Sequence, residues 1–108
     1  MKELEAGFQA AVIQLAHSQH WSVFHARTSR TSSGAYVTAV SGDGIGWPDL
    51  VLVRGCILFL ELKTDTGRLS LAQRAWGDRL NDAGADYAIW KPQDWSEIVK
   101  ELTRKVVP

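Results

Sequence analysis

The chain has 108 residues, the size of one folding domain, and we expect residues 1–108 to form a single domain. Its 45% hydrophobic and 22% charged residues exclude a disordered, collagen-like or coiled-coil chain. Twelve basic and twelve acidic side chains balance, which argues against a protein that coats DNA by bulk charge alone. No apolar run has the length of a membrane span, no secretory leader is recognisable, and Cys56 has no partner for an internal disulfide. We therefore expect a cytoplasmic protein without a membrane partner.

A helix, a strand and a long loop are predicted in the first half of the chain. Apolar residues recur every three or four positions near the start, which predicts a helix over residues 2–18. Residues 21–26 have a strand-like composition and predict a first strand. Residues 28–46 are rich in Ser, Thr and Gly, which predicts a long loop with a short extended piece at 35–40.

A hairpin and three further elements are predicted in the second half. Residues 50–53 and 56–63 predict two strands joined by a tight turn at Arg54 and Gly55. The elements that follow are a helix over 70–83 stopped by Gly84, a strand over 87–90, and a last helix that is capped by Asp94. The order α-β-β-β-α-β-α predicts an α/β fold in which helices flank a mixed sheet.

Five tryptophans are many for a chain of this length. Trp47 lies in a loop directly before Pro48 and Asp49, so we expect it to be partly exposed, near a substrate. The remaining four are expected in the core: Trp21, Trp76, Trp90 and Trp95.

Two carboxylates and a lysine converge at one end of the predicted hairpin. Because successive strand residues alternate between faces, Glu61 and Lys63 share one face. The short turn returns the chain so that Asp49 can lie beside Glu61. Such a pair suits Mg²⁺ or Mn²⁺, which take oxygen ligands that include one or two carboxylates. The alternative is a surface salt bridge between Lys63 and either carboxylate.

Two further polar residues face inward on the predicted helices. Glu5 lies at the edge of an apolar stripe, where a carboxylate is costly unless it is paired or metal-bound. The alternative for Glu5 is a boundary residue whose carboxylate reaches solvent. Gln73 lies on the inner side of its helix, where it either belongs to a site or closes a capping box with Ser70.

Glycines at positions 42, 44 and 46 resemble a phosphate-binding loop. No strand-to-helix context surrounds them, and no Gly-Lys-Ser or Gly-Lys-Thr follows, so we interpret them as a flexible loop. His25 on the first strand could contact phosphate, although a packed histidine is the simpler interpretation.

Five segments, taken in order, carry a family resemblance. They are Glu5, GWPDLVLV at 46–53, FLELK at 59–63, GRLSLAQ at 67–73 and AIWKPQDW at 88–95. A Pro-Asp step followed by Glu-x-Lys is common by chance, so the resemblance depends on the whole ordered set. In this order the segments resemble the VRR-NUC family of the PD-(D/E)XK nuclease superfamily, in its small stand-alone phage or bacterial form.

The resemblance implies a restriction-endonuclease-like core and a Mg²⁺- or Mn²⁺-dependent endonuclease that hydrolyses DNA phosphodiesters. It implies that Asp49 and Glu61 bind the metal and that the backbone carbonyl of Leu62 adds a ligand. Lys63 would orient or activate the attacking water and steady the negative charge that develops on the phosphate.

Two helix residues complete the implied site. Glu5 matches the acidic residue that the family carries on its first helix, and it would join the metal ligands. Gln73 matches the glutamine that the family carries on the helix after the ELK strand, and it would be catalytic. Trp47 replaces a residue that is usually smaller, and His20 stands where a glycine often precedes the tryptophan. Neither departure removes a catalytic group.

The partners that the resemblance implies are DNA and a second copy of the chain. With three carboxylates neutralised by metal, nine free acids face twelve bases, which favours DNA binding. Small stand-alone members act as dimers on branched DNA, so a homodimer at four-way junctions is the leading expectation. The alternatives are a flap or nicking nuclease and a catalytically silent DNA-binding module. The expected phosphate contacts are Arg27, Arg30, Arg68 and Arg74.

Overall fold

The structure is a computed structural model that describes residues 2–26, 29–30, 36–37 and 42–105. Its helices are α1 (Lys2–Ser18), α2 (Leu71–Asp82) and α3 (Trp95–Thr103), with a single 3₁₀ turn at Pro92–Asp94. Its strands are β1 (Ser22–His25), β2 (Ser29–Arg30), β3 (Tyr36–Val37), β4 (Leu50–Val53), β5 (Ile57–Leu62) and β6 (Asp86–Trp90).

Four strands form a mixed sheet in the order β1-β4-β5-β6. β1 and β4 pair antiparallel, as do β4 and β5, whereas β5 and β6 are parallel because α2 connects them. These strands and the three helices follow the predicted order α-β-β-β-α-β-α, so the predicted fold class is confirmed. The separate pair of β2 and β3 lies where a loop was predicted, and Tyr36–Val37 falls within the expected extended piece.

The core lies on one face of the sheet, against α1 and α3. Strand alternation directs Leu50, Leu52, Leu58, Leu60 and Leu62 to this face, where all five are buried. The helices contribute the residues that match the predicted helical spacing, Phe8, Val12 and Ala16 from α1 and Ile98 and Leu102 from α3. This packing fixes the strands whose ends carry the candidate site.

The helix α2 covers the other face of the sheet, over β6. Ser70 caps it, and a glycine with a positive φ follows its C-terminal cap, as the sequence predicts. At Gly77 the helix approaches the sheet so closely that an added Cβ would lie 2.8 Å from a ring carbon of Tyr87. A side chain at position 77 would therefore require the Tyr87 ring to shift.

Four local predictions are wrong. The hairpin turn has three residues, 54–56, rather than the predicted two, because Val53 pairs with Ile57, where β5 begins. Trp95 is 38% exposed rather than part of the core, because it begins α3 at the surface. Asp94 does not cap α3 with its side chain; its carboxylate instead accepts a hydrogen bond from the backbone N–H of Lys91 at 2.9 Å and closes the preceding 3₁₀ turn. His25 is exposed at the end of β1 rather than packed.

The other four tryptophans differ in exposure. Trp21 and Trp90 belong to the core as predicted, whereas Trp76, also predicted there, is half-buried beside the loop before β4. Trp47 is half-buried in that loop, as expected. Among the helices of the described residues, none has the length and hydropathy needed to cross a membrane.

Candidate functional site

Asp49 and Glu61 lie side by side at one end of the β4–β5 hairpin. The ladder pairs Leu50 with Leu60, so the next step outward places Asp49 opposite Glu61. The backbone N–H of Leu62 donates a hydrogen bond to Asp49 Oδ2 at 2.8 Å. The strand period and the short turn therefore bring the two carboxylates together as predicted.

The Glu61 carboxylate is the most unusual group in the site. It is 1% exposed, and within the described residues neither of its oxygens accepts a hydrogen bond of normal geometry, although the carboxyl and the backbone N–H of Asp49 lie close enough to affect it. Burial, with a further contribution from the charge of Asp49, raises the pKa of Glu61 to about 8, although the Lys63 ammonium opposes this shift. A buried carboxylate without a partner is costly, so this group is suited to a cation.

The pKa of Asp49 is also raised, chiefly because burial disfavours its charged form. The Leu62 N–H bond and the Lys63 charge act in the opposite direction, whereas the carboxylate of Glu5 raises the pKa further. Glu5 therefore lies close enough to Asp49 for its charge to act at the hairpin end, and it is partly buried on α1. Its placement agrees with an inward-facing residue.

Lys63 follows the last residue of β5 and is partly buried. Its backbone N–H donates to the Trp90 carbonyl oxygen at 3.0 Å, which fixes the chain at this point. Within the described residues the ion pair found joins Arg104 to Glu101, so neither Asp49 nor Glu61 forms the direct salt bridge with Lys63 that the alternative interpretation required.

The capping-box interpretation of Gln73 is confirmed. Its side-chain Oε1 accepts a hydrogen bond from the Ser70 N–H at 2.8 Å, and its own N–H donates to Ser70 Oγ at 3.1 Å. These two bonds satisfy amides at the start of α2. The catalytic role of Gln73 stays a prediction.

The four arginines expected to contact phosphate are placed to different extents. Arg68 and Arg74 are exposed, before and within α2. The backbone of Arg30 lies in β2, and Arg27 lies outside the described residues.

Tyr87 is a neighbour of the site that the sequence analysis missed. It lies beside Phe59 in the parallel pairing of β5 with β6. Burial raises the pKa of Tyr87 to about 12, with further contributions from the charges of Glu61, Asp49 and Asp78. The phenol therefore stays neutral near the carboxylates. The helix between β5 and β6 favours parallel pairing of β6 with an earlier strand, but no local pattern in the sequence shows that this strand is β5.

The loop before Asp49 is packed against α2. The Trp47 ring meets the Phe59 ring edge to face at a centroid distance of 5.6 Å and the Trp76 ring at 4.9 Å. Trp76 in turn donates its indole N–H to the Asp43 carbonyl oxygen at 2.8 Å. The sequence, which predicted a flexible loop, carries no periodic pattern that signals these contacts.

The donor set has the chemistry of a hard-cation site. Asp49 and Glu61 offer carboxylate oxygens, and the unpartnered Glu61 oxygens are the observation that fits a divalent cation best. Across the described part of the chain, no group of three or more His, Cys, Asp or Glu side chains is arranged to hold a metal. A cation at this hairpin end would thus draw further ligands from backbone, water or substrate, as Mg²⁺ usually does.

The mixed four-stranded sheet, the flanking helices and the carboxylate pair at the hairpin end define a restriction-endonuclease-like nuclease fold. The family model described as the VRR-NUC domain matches residues 3–94. The chain therefore belongs to the VRR-NUC family, which implies a DNA-processing function of the nuclease type. No curated protein and no solved structure matches the chain.

Proposed function

We propose that this protein is a Mg²⁺- or Mn²⁺-dependent, structure-specific endodeoxyribonuclease that hydrolyses phosphodiesters in branched DNA, with four-way junctions as the first substrate. The observation that carries the proposal is the Glu61 carboxylate, buried beside the Asp49 carboxyl without a cationic or neutral side-chain donor among the described residues. Membership of the VRR-NUC family supplies the substrate class, since family members process DNA and generally use divalent metal ions.

Asp49, Glu61 and the Leu62 carbonyl are the proposed metal ligands. Glu5 is expected from the sequence as a further ligand, but within the described residues it does not form a three-carboxylate cluster with them, and we propose that it adds charge from α1 instead. When bound, a divalent cation supplies a nucleophile at neutral pH and stabilises negative charge on the phosphate. The Asp49 carboxylate is held in place by the Leu62 N–H. Lys63, whose ammonium favours ionisation of both carboxylates, orients the attacking water. Gln73 is proposed to act through its amide nitrogen, since its Oε1 is used in the cap of α2.

Phosphate binding is proposed for arginines around α2 and the β2–β3 region. Arg68 and Arg74 are exposed, before and within α2, so their side chains are accessible to phosphate. Arg27 and Arg30 are proposed on sequence grounds. Contacts of this kind are independent of base sequence and weaken as salt increases.

A two-fold homodimer is proposed as the active form. Three large apolar side chains of the sheet are exposed, Phe24 at 59%, Val53 at 45% and Ile57 at 50%. The strand register places them on the same sheet face, and exposed apolar patches mark association surfaces. A two-fold dimer also presents two sites to the symmetry-related strands of a junction.

Cleavage of a labelled DNA panel tests the proposal. Duplex, single strand, flap and four-way junction are each incubated with Mg²⁺, Mn²⁺ or Ca²⁺. We expect paired nicks in the junction with Mg²⁺ or Mn²⁺. If the flap is cleaved faster than the junction, the flap is the preferred substrate and the four-way junction is not. Binding without cleavage under every condition would overturn the nuclease proposal in favour of a silent DNA-binding module.

A further inference from the structure

The Asp49 loop, which we define as residues 42–48, touches the backbone of α2 at Gly46. An added Cβ at Gly46 would lie 2.5 Å from the Ala72 carbonyl carbon, 2.6 Å from its oxygen and 2.7 Å from its Cβ. Gly46 also has a φ of +88°, which glycine adopts without strain. Since Ala72 lies in the first turn of α2, neither backbone can yield cheaply.

Trp76 fixes the same loop from a second position on α2. Its indole N–H donates to the Asp43 carbonyl oxygen at 2.8 Å. Its ring packs against the Trp47 ring at a centroid distance of 4.9 Å, and the Trp47 N–H donates to the Gly44 carbonyl oxygen at 3.1 Å. The Asp49 loop is thus held to α2 at both of its ends.

Asp49 depends on this loop because it lies outside the strand ladder. The β4–β5 pairing begins at Leu50, so it leaves Asp49 unpaired by the sheet. Pro48, which is fully buried, connects the loop to Asp49 and restricts the backbone there. The Asp49 carboxylate reaches only one described backbone donor, the Leu62 N–H at 2.8 Å.

We propose that α2 clamps the Asp49 loop through Gly46 and Trp76, and that these two are positioning residues that hold the Asp49 carboxylate against Leu62 and beside Glu61. The functional meaning of the clamp rests on the proposed function, because it sets the spacing of the two carboxylate ligands. The clamp itself is a property of the metal-free protein, so it is tested without metal.

The main test is amide hydrogen exchange of the metal-free protein, measured by NMR. The measured quantity is the ratio of the exchange rate of the Leu62 N–H to that of the Leu52 N–H. In Gly46→Ala we expect the Leu62 amide to exchange about tenfold faster relative to the core amide of Leu52, which reports global unfolding. The matched control is Gly42→Ala. Gly42 also has a positive φ, of +61°, but an added Cβ there has no neighbour within 4 Å. We expect Gly42→Ala to leave the ratio unchanged.

Trp76→Phe provides a milder variant in case Gly46→Ala does not fold. It keeps an aromatic ring against Trp47 but deletes the N–H that binds the Asp43 carbonyl oxygen. We expect the ratio of the Leu62 to the Leu52 exchange rate to rise in this variant as well. An unchanged ratio in Trp76→Phe and in any folded Gly46→Ala would overturn the clamp.

Calorimetric titration with Mn²⁺ then connects the clamp to the proposed site. We expect Mn²⁺ to bind about 10- to 100-fold more weakly in Gly46→Ala and Trp76→Phe than in the wild type and Gly42→Ala, as is usual when the support of a ligand is lost. A wild type that binds no Mn²⁺ would refute the proposed metal site, while the Leu62 exchange would still decide the clamp.

Discussion

Glu61 concentrates the chemistry of the site in one residue. Its carboxylate combines burial, a neighbouring carboxylate and unpartnered oxygens, and each of these disfavours its charge. Proteins retain such a group at functional sites, where a ligand compensates the cost. The burial of Glu61 therefore has consequences for the metal-free protein that can be measured without substrate.

Stability of the metal-free protein should fall as pH rises. The folded-state pKa of Glu61, about 8, exceeds the ordinary value of 4.5, so the folded state holds its proton more tightly than the unfolded state does. The stabilisation is complete below pH 4.5 and is lost as pH rises through 8. The loss should be on the order of a few kcal/mol in urea unfolding.

Glu61→Gln should remove most of this pH dependence, since the amide does not titrate. Glu97→Gln, at an exposed position on α3, is the control. Its free energy of unfolding should change with pH as steeply as that of the wild type. Equal slopes for Glu61→Gln and the wild type would contradict the account of Glu61.

Substitution of Ser70, the capping partner of Gln73, distinguishes a purely structural role of Gln73 from a catalytic one. Ser70→Ala and Gln73→Ala each break the capping box, so each should lower the free energy of unfolding by about 1 kcal/mol. If Gln73 also serves the site, only Gln73→Ala should lose turnover per folded molecule. We expect that loss in a cleavage assay corrected for the folded fraction. Equal turnover in the two variants would leave Gln73 as a cap residue.

At the residue scale, the residues of the carboxylate pair could be predicted from the sequence. Strand alternation predicted which residues share a face, but the register that brings Asp49 beside Glu61 depends on a turn of three residues, because Val53 pairs with Ile57. The predicted two-residue turn would have placed Asp49 opposite Leu60 instead. The neighbourhood of Tyr87 was not predictable in the same way, since it depends on which strand β6 joins. The exposure of Trp95 likewise depends on where α3 begins relative to the sheet.

At the scale of elements, the contact of α2 with β6 determines one side of the site. Gly77 meets the Tyr87 ring, and an added Cβ would lie 2.8 to 3.0 Å from three of its atoms. Gly77→Ala should therefore destabilise the fold by about 1–3 kcal/mol, although alanine favours the helix itself.

Gly7→Ala is the matched control for this substitution. Gly7 is also helical, but an added Cβ there would have no neighbour within 4 Å. It should stabilise the protein by up to about 1 kcal/mol through helix propensity. Thermal unfolding of the two variants should thus give shifts of opposite sign. A stabilising Gly77→Ala would contradict the close packing of α2 on β6.

Element positions followed from periodicity and caps, which are local properties of the sequence. The prediction of α1 over 2–18 and the capping box of α2 depended on neighbours within one or two turns. The contact between Gly46 and Ala72 joins two segments with no shared pattern. A glycine required by tertiary contact looks the same in sequence as a glycine in a loop, so this contact could be found only in the structure.

At the scale of the whole molecule, the proposed homodimer predicts the mass in solution. Light scattering at micromolar concentration in about 0.15 M salt should give twice the 12.0 kDa of the chain. A stable two-fold interface would bury on the order of 1,200–2,000 Å² in total. A mass of one chain, with paired junction cleavage retained, would rule out the dimer.

A substitution on the exposed sheet face that carries Phe24, Val53 and Ile57 tests where the dimer interface lies. Ile57→Asp, which places a charge among the exposed apolar side chains, should shift the mass towards that of the monomer. Leu71→Asp is the control, because Leu71 is 87% exposed but lies on α2. A dimer that survives Ile57→Asp would place the interface elsewhere on the molecule.

Metal-dependent cleavage by Asp49 and Glu61 is tested on a labelled four-way junction in Mg²⁺ with the wild type, Asp49→Asn and Glu61→Gln. We expect the wild type to nick the junction and each variant, although folded, to be slower by at least about a hundredfold. The reason is that loss of metal-based charge stabilisation costs several kcal/mol, and about 1.4 kcal/mol is tenfold in rate. Wild-type turnover by purified, folded Glu61→Gln would contradict this role of Glu61.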